Sequence, residues 1–223
     1  MNNKAMWLSE TPHSLRQHSP AAERNRQPIL DVLRRVLPVH GAALEIASGT
    51  GQHAAWFAAG LPGWTWQPTD MRTNDFGSIA SWCAEAGCSN VLRPAVLDVM
   101  AGRWPSAGRE FSPQFDAIYC ANMLHISPWA TCAALMRGAA RYLKADGQLI
   151  TYGPYLENDV PTSPGNLSFD ASLRASNADW GIRALEDVMR EATVAGLRLG
   201  ARVPMPANNL LLVFTCDATT DQR

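Results

Sequence analysis

Apolar residues along this 223-residue chain follow two different periods, and the alternation between them marks out the elements. Ile29, Leu30, Leu33, Val36 and Leu37 recur at helical spacing as far as Pro38. Ahead of them Ser19-Pro20 has the chemistry of a helix start, with a hydroxyl to cap free amides and a proline where a missing N–H is no loss. Ala42 to Ala47 is a short apolar run ending in Ser48-Gly49-Thr50-Gly51, the pattern of a buried strand entering a tight turn. A helix from about Gln52 to Leu61, a strand Trp64 to Thr69, a helix Ile79 to Gly87 and a strand Val91 to Leu97 follow. Phe115 to Cys120 reads as a strand, Trp129 to Leu143 as a helix, and Gln148 to Tyr152 as a strand entered through Asp146-Gly147. Such alternation predicts a doubly wound α/β fold, a mostly parallel sheet with helices on both faces. Past Tyr152 the pattern breaks into a Pro/Asn/Ser-rich stretch from Pro154 to Ser168. A helix near Leu185 to Ala195 and two runs, Leu197 to Val203 and Leu210 to Thr215, close the chain as an antiparallel hairpin and bring the sheet to seven strands.

Composition does not shift along the chain, so one domain is expected over residues 19–217, with an insertion at 153–182, a frayed start at 1–18 and a disordered tail at 218–223. The 19 basic residues nearly balance 20 acidic ones. A formal charge of -1 lacks the clustered cations that long nucleic acid or an anionic membrane requires, which favours a small-molecule partner and a monomer or homodimer. No apolar run has signal-peptide or membrane-spanning length, and a cytoplasmic protein is expected. Five cysteines without a CxxC pair suit free thiols and give no metal site.

Glu45-Ile46-Ala47-Ser48-Gly49-Thr50-Gly51-Gln52-His53 carries the strongest chemical signal, a strand, a glycine turn and a helix start in succession. Gly49, Gly51 and Ala54 also satisfy the dinucleotide-binding spacing, so the turn alone does not choose between a nicotinamide cofactor and an adenosyl sulfonium. Its surroundings favour the second. Asp70 closes the next strand, where a carboxylate can accept from both ribose hydroxyls. Asp98 closes the strand after that, where it can hold an adenine amino group while Val99 packs on the ring. Glu45, two residues before the turn, would repel a pyrophosphate and attract a cation.

With these pieces the sequence resembles the class I S-adenosylmethionine-dependent methyltransferases. Glu45 to Gly51 is similar to their first motif, with Ala47 where glycine is more usual; Asp70 and Asp98 match the second and third, and Phe115 to Asn122 the fourth. Arg141-Tyr142-Leu143 before Lys144 to Leu149 is similar to the element preceding their fifth strand, so the likeness runs from Ala42 to Thr215. It implies a Rossmann-like sheet, S-adenosylmethionine as cofactor and S-adenosylhomocysteine as product. A narrower resemblance is to a bacterial family related to the animal proteins called methyltransferase-like twenty-six. It rests on Ala22 to Leu30, Ser48 to His53, Asn122 to Trp129, Asn166, Ser168-Phe169-Asp170 and Asp179 to Arg183, and implies no substrate.

The expected cofactor set is Glu45, Ala47, Ser48, Gly49, Gly51, His53, Asp70, Asp98, Val99 and Asn122. His53 enters only as a neighbour, since a helix-start histidine more often faces solvent or caps the turn, and for Asp98 the competing reading is a helix N-cap or loop cap. His125, after the fourth strand, is the candidate general base, with a structural histidine as the competing reading; Tyr152, Tyr155 and Asp170 are candidate positioning groups. Arg24 and Asn25 on the first helix, with Tyr155 and Trp180 in the insertion, are candidate acceptor contacts, and the insertion is a candidate lid. Cys120 reads as a small buried hydrophobe. Ala121-Asn122-Met123-Leu124 lacks the Asn/Asp-Pro-Pro-aromatic run of enzymes that methylate base amino groups. The expected function is therefore methylation of a small molecule by direct displacement. The alternatives are a non-catalytic module binding the same cofactor and a nicotinamide-dependent oxidoreductase.

Overall fold

Ser19 caps the first helix through its side chain, which accepts from the Ala22 amide, and Pro20 opens α1 (Pro20–Val36). In the computed structural model, which describes residues 16–112 and 114–216, there follow β1 (Gly41–Ile46), α2 (Gln52–Gly60), β2 (Trp64–Asp70), α3 (Phe76–Glu85), β3 (Ala95–Val96) and β4 (Phe115–Ala121). Then come α4 (Ala130–Tyr142), β5 (Leu143–Gly153), β6 (Tyr155–Leu156), α5 (Pro164–Ser176), β7 (Arg183–Ala184), α6 (Leu185–Val194), β8 (Leu197–Met205) and β9 (Asn209–Cys216).

Seven strands form one sheet in the order β3-β2-β1-β4-β5-β9-β8. The first five run parallel, while β9 is antiparallel to both β5 and β8. This is the mostly parallel α/β sheet with a C-terminal hairpin that the periodicity predicts. The chain winds outward in opposite directions from β1 and from β4, so the crevice over their C-terminal ends is a topological switch point. Each face of the sheet buries a core. One joins Leu30, Phe57, Trp66, Ile79 and Tyr119 beneath α1, α2 and α3; the other joins Leu135, Met136, Tyr142, Val188 and Phe214 beneath α4 and α6.

Several expected elements differ. The run Val91 to Leu97 pairs as a strand only at Ala95–Val96, with Val91 a lone bridge to Trp66, because Pro94 has no N–H for a ladder. The helix expected from Ile79 begins three residues earlier, at Phe76. Strand β5 starts at Leu143, pairing through an irregularity between Phe115 and Ala117. The stretch read as irregular holds α5, capped by Ser163 with Pro164 at its first turn, the same signature as Ser19-Pro20. The parallel pair β6–β7 closes the base of this insertion. Of the expected frayed start, residues 1–15 lie outside the described residues, and residues 16 and 17 make contacts with α3. The Gln17 amide donates to Ser78 Oγ at 2.9 Å, its carbonyl accepts from Trp82 Nε1 at 2.8 Å, and Arg16 pairs with Glu85. The expected tail also lies outside the described residues. Among the described residues no helix is long and apolar enough to cross a membrane, no cluster of metal ligands forms, and all five cysteines are free.

Candidate functional site

A cavity of about 750 Å³ opens over the C-terminal ends of the parallel strands. Its floor is the turn after β1, where Ala47 (φ 54°) and Gly49 (φ 51°) both take the left-handed conformation. That conformation costs a non-glycine residue about 1–2 kcal/mol, which accounts for glycine being more usual at the position of Ala47. Hydrogen bonds to β2 impose the turn: Ser48 N donates to Thr69 O at 2.8 Å, Thr69 N to Ser48 Oγ at 3.2 Å, and Gly49 N to Asp70 Oδ2 at 3.0 Å. A Cβ on Gly49 would have no atom within 4 Å, so the backbone there is bare to the cavity. Gly51 has another role. It ends the turn at φ 85° as the N-cap of α2, outside the cavity wall, and a Cβ there would lie 2.5 Å from the backbone of Ile79.

The rim carries two carboxylates on adjacent strand ends. Asp70 ends β2 and Asp98 follows β3, and both line the cavity. Asp98 also caps its own loop, accepting from Met100 N at 2.9 Å, as the competing reading of this residue expects. Val99 lies on the wall beside it, and Asn122, left-handed at φ 57° with its amide bonded to Tyr152 O at 2.8 Å, forms the wall after β4.

Glu45 is placed differently from the expectation. It lies outside the wall, 2% exposed, with Oε2 accepting from Trp66 Nε1 at 2.7 Å. Burial pushes its carboxyl up to about 8, against hydrogen bonds from Trp66 and Ser48 and with some help from Asp70. It therefore holds a proton at neutral pH and supplies no fixed negative charge there. His53 neither faces solvent nor caps the turn. It is buried, lines the cavity and stacks on Phe57 at 5.0 Å, with Nε2 2.6 Å from Asn25 Oδ1. Burial, and next the charge of Arg26, bring it down to about 4, so it is neutral.

The candidate catalytic and acceptor groups are mostly not on the wall. His125 sits in a short 3₁₀ turn, residues 124–126, buried, its ring edge-on to Phe169 of α5 at 5.4 Å and its carbonyl accepting from Gly181 N at 3.0 Å. Burial and the nearby Arg183 bring it to about 4. Tyr152 is buried toward α1, where Asn25 is its partner. Tyr155 is a core residue whose hydroxyl meets Thr151 Oγ1 at 2.8 Å. Asp170 pairs with Arg174 at 2.8 Å and accepts from Ile182 N at 2.6 Å; burial pushes its carboxyl up, but these bonds win and hold it below its usual value. Arg24 is exposed away from the wall, and Asn25 is spent on His53. Of the four expected acceptor contacts only Trp180 lines the cavity.

Sequence reasoning missed the residues that complete the wall. Met71 and Met100 each follow a rim carboxylate or its neighbour, while Met123, Ile126, Ser127, Pro128 and Thr131 come from the segment after β4. Position next to a strand-end acid was a usable signal for the first two. Arg183 organises the remainder: Nε donates to Leu124 O at 3.0 Å, and Nη2 to Ser127 O at 2.5 Å and Asp179 O at 2.7 Å. Across the cavity Gln52 Oε1 accepts from Ser19 N at 2.5 Å, holding the start of α1 against the turn, and Ser19 and Ala22 line that side.

Residues 16–216 match the family model DUF938, described as a protein of unknown function. The chain belongs to that family. Among solved structures this DUF938 chain is similar to the mitomycin 7-O-methyltransferase, at 15% identity and a TM-score of 0.72 over 91% of this chain and 60% of that one. An O-methyltransferase family 2 protein from Planctomyces limnophilus in complex with apigenin matches at 20% identity and a TM-score of 0.70, over 87% and 59% of the two chains. Human N-acetylserotonin methyltransferase in complex with SAM matches at 14% identity and a TM-score of 0.70, over 88% and 53%. The DUF938 chain thus spans 53 to 60% of the length of these three neighbours. At such identities the likeness is one of fold, a Rossmann-like methyltransferase sheet.

Proposed function

We propose that the chain is an S-adenosylmethionine-dependent methyltransferase acting on a small molecule. The observation that carries the reading is the pairing of two carboxylates, Asp70 and Asp98, on one rim of a cavity whose floor is the left-handed Ala47–Gly49 turn. The donor set fits an adenosyl group. Asp70 offers acceptors to a ribose, Asp98 an acceptor to an adenine amino group, Met71 and Val99 give apolar faces on that side, and bare Gly49 lets a ligand approach the backbone. Bound there, the cofactor supplies a methyl group activated by positive sulfur.

The chain's own contribution is to orient the two reactants and exclude water. Ala47, Ser48, Gly49, His53 and Asn122 face the cavity between rim and acceptor side, and the 153–182 insertion acts as a lid that seats Trp180 over it. Because Glu45 is neutral, it supplies no charge that would select against a pyrophosphate. One domain from residue 19 to 217 and kinship with the relatives of methyltransferase-like twenty-six belong to the same reading.

Calorimetric titration with S-adenosylhomocysteine, NAD and NADP tests it. Asp70→Asn is the variant to use, since it keeps an acceptor for the Gly49 amide while removing the charge. Binding of S-adenosylhomocysteine alone, weakened at least about tenfold by the variant, is the expected result. Tight binding of a nicotinamide instead would overturn the proposal.

A further inference from the structure

The order β3-β2-β1-β4 puts the two carboxylates on one side of β1 and the segment after β4 on the other, so the cavity has a charged end and an acceptor end. The acceptor end is lined by the amide of Asn122, the thioether of Met123, the hydroxyls of Ser127 and Thr131, and apolar Ile126 and Pro128. None of these takes a proton at neutral pH. Neither of the two described imidazoles nearby offers a free nitrogen on that wall. His125 does not line the cavity, and its ring lies edge-on to Phe169. His53 has Nε2 against Asn25 and Nδ1 3.5 Å from the Tyr119 hydroxyl.

We infer, resting on the methyltransferase reading, that the acceptor is an apolar small-molecule thiol, which brings its own ionisation and needs no side chain to deprotonate it. Ordinary values for a thiol, a phenol and an alkyl amine are about 8.5, 10 and 10.4, so at pH 7.5 about one thiol in ten is ionised. The corresponding reactive fractions are about one in 300 for the phenol and one in 800 for the amine. A soft, polarisable sulfur also suits the thioether of Met123 and the aliphatic faces of Ile126 and Pro128 on that wall. The thiol releases its proton to water. The thiolate lone pair then forms the new S–CH₃ bond while the methyl–sulfonium bond breaks, its electron pair returning to the cofactor sulfur to leave S-adenosylhomocysteine.

The test uses the full chain and has two stages. Calorimetry with S-adenosylhomocysteine first establishes the cofactor; no binding would overturn the methyltransferase reading and this inference with it. Benzyl mercaptan and thiophenol are then compared with benzyl alcohol, phenol and benzylamine, following S-adenosylhomocysteine formation above the enzyme-free rate. The expected result is turnover of a thiol at least about 30-fold faster than its oxygen counterpart at pH 7.5, rising with pH until the thiol itself is fully ionised. If the chain binds S-adenosylhomocysteine yet methylates phenol or benzyl alcohol as fast as the thiols, or methylates neither thiol, the inference fails while the methyltransferase reading stands.

Discussion

Replacing Glu45 with Gln removes a titration from the centre of the fold while keeping its hydrogen bond, because an amide oxygen can still accept from Trp66 Nε1. The carboxyl titrates near 4.5 in an unfolded chain and near 8 in the folded one. Between those values the native state binds about one proton more than the unfolded state, so this group's contribution falls as pH rises. His53 and His125 act in the opposite sense. Both are lowered from 6.5 to about 4, so the native state binds fewer protons there and stability rises with pH up to 6.5. The wild type should therefore be most stable near pH 6.5. From pH 6.5 to 8 Glu45 contributes a loss of about 2 kcal/mol, 1.5 pH units at about 1.36 kcal/mol each, and the two histidines, still half protonated in the unfolded chain at pH 6.5, offset it by about 0.4 kcal/mol apiece. Urea unfolding followed by tryptophan fluorescence at pH 6.5 and 8.5 measures it. Glu45→Gln should abolish the loss over that interval; an equal loss in variant and wild type would refute the assignment of a neutral buried carboxyl.

The turn offers three further tests. Gly51→Ala combines a strained φ of 85° with a Cβ 2.5 Å from the Ile79 backbone, and should lower stability by about 3 kcal/mol or more; a thermal midpoint within a degree of wild type would contradict this. Gly49→Ala meets open space, so it should lose only about 1–2 kcal/mol of stability while weakening S-adenosylhomocysteine binding much more, and unchanged affinity would show that the bare backbone is not a contact. Ala47→Gly relieves a left-handed alanine and should gain up to about 1 kcal/mol in the same denaturation assay, with a loss of stability as the contrary result. Arg183→Lys keeps the charge but cannot reach three carbonyls at once. Proteolysis within residues 177–182 should become faster while affinity for S-adenosylhomocysteine holds, and an unchanged rate would remove Arg183 as the clamp.

The sheet and the charged half of the site were legible because local rules act there. Periodicity places β1, β2 and β4 to within a residue or so, and a glycine turn or an acid at a strand end means the same thing wherever the chain folds this way. Where one residue changes a local rule, the reading slips. Pro94 cuts β3 to two residues, and the Ser163-Pro164 signature of α5 was obscured by the Pro, Asn and Ser around it. Glu45 is a different failure. Its position in the motif is visible in sequence, but its protonation depends on Trp66 and on complete burial, which only the packed sheet reveals.

The acceptor half was opaque for a related reason. His125, Tyr152, Tyr155 and Asp170 are all polar residues near the right place along the chain, which is the most sequence can offer. Direction decides their use, and in each case a tertiary partner fixes it: Phe169 for His125, Asn25 for Tyr152, Thr151 for Tyr155, Arg174 and the Ile182 amide for Asp170. The His125–Phe169 and Thr151–Tyr155 contacts tie the insertion to the body of the fold. Gly181 N reaches the His125 carbonyl and Arg183 reaches Leu124 and Ser127, so the turn carrying Ile126 and Ser127 is held by the same segment that carries Trp180. This part of the wall is thus held by bonds from a single segment. Its polar residues serve to hold it in place, leaving neutral and apolar side chains to meet whatever enters.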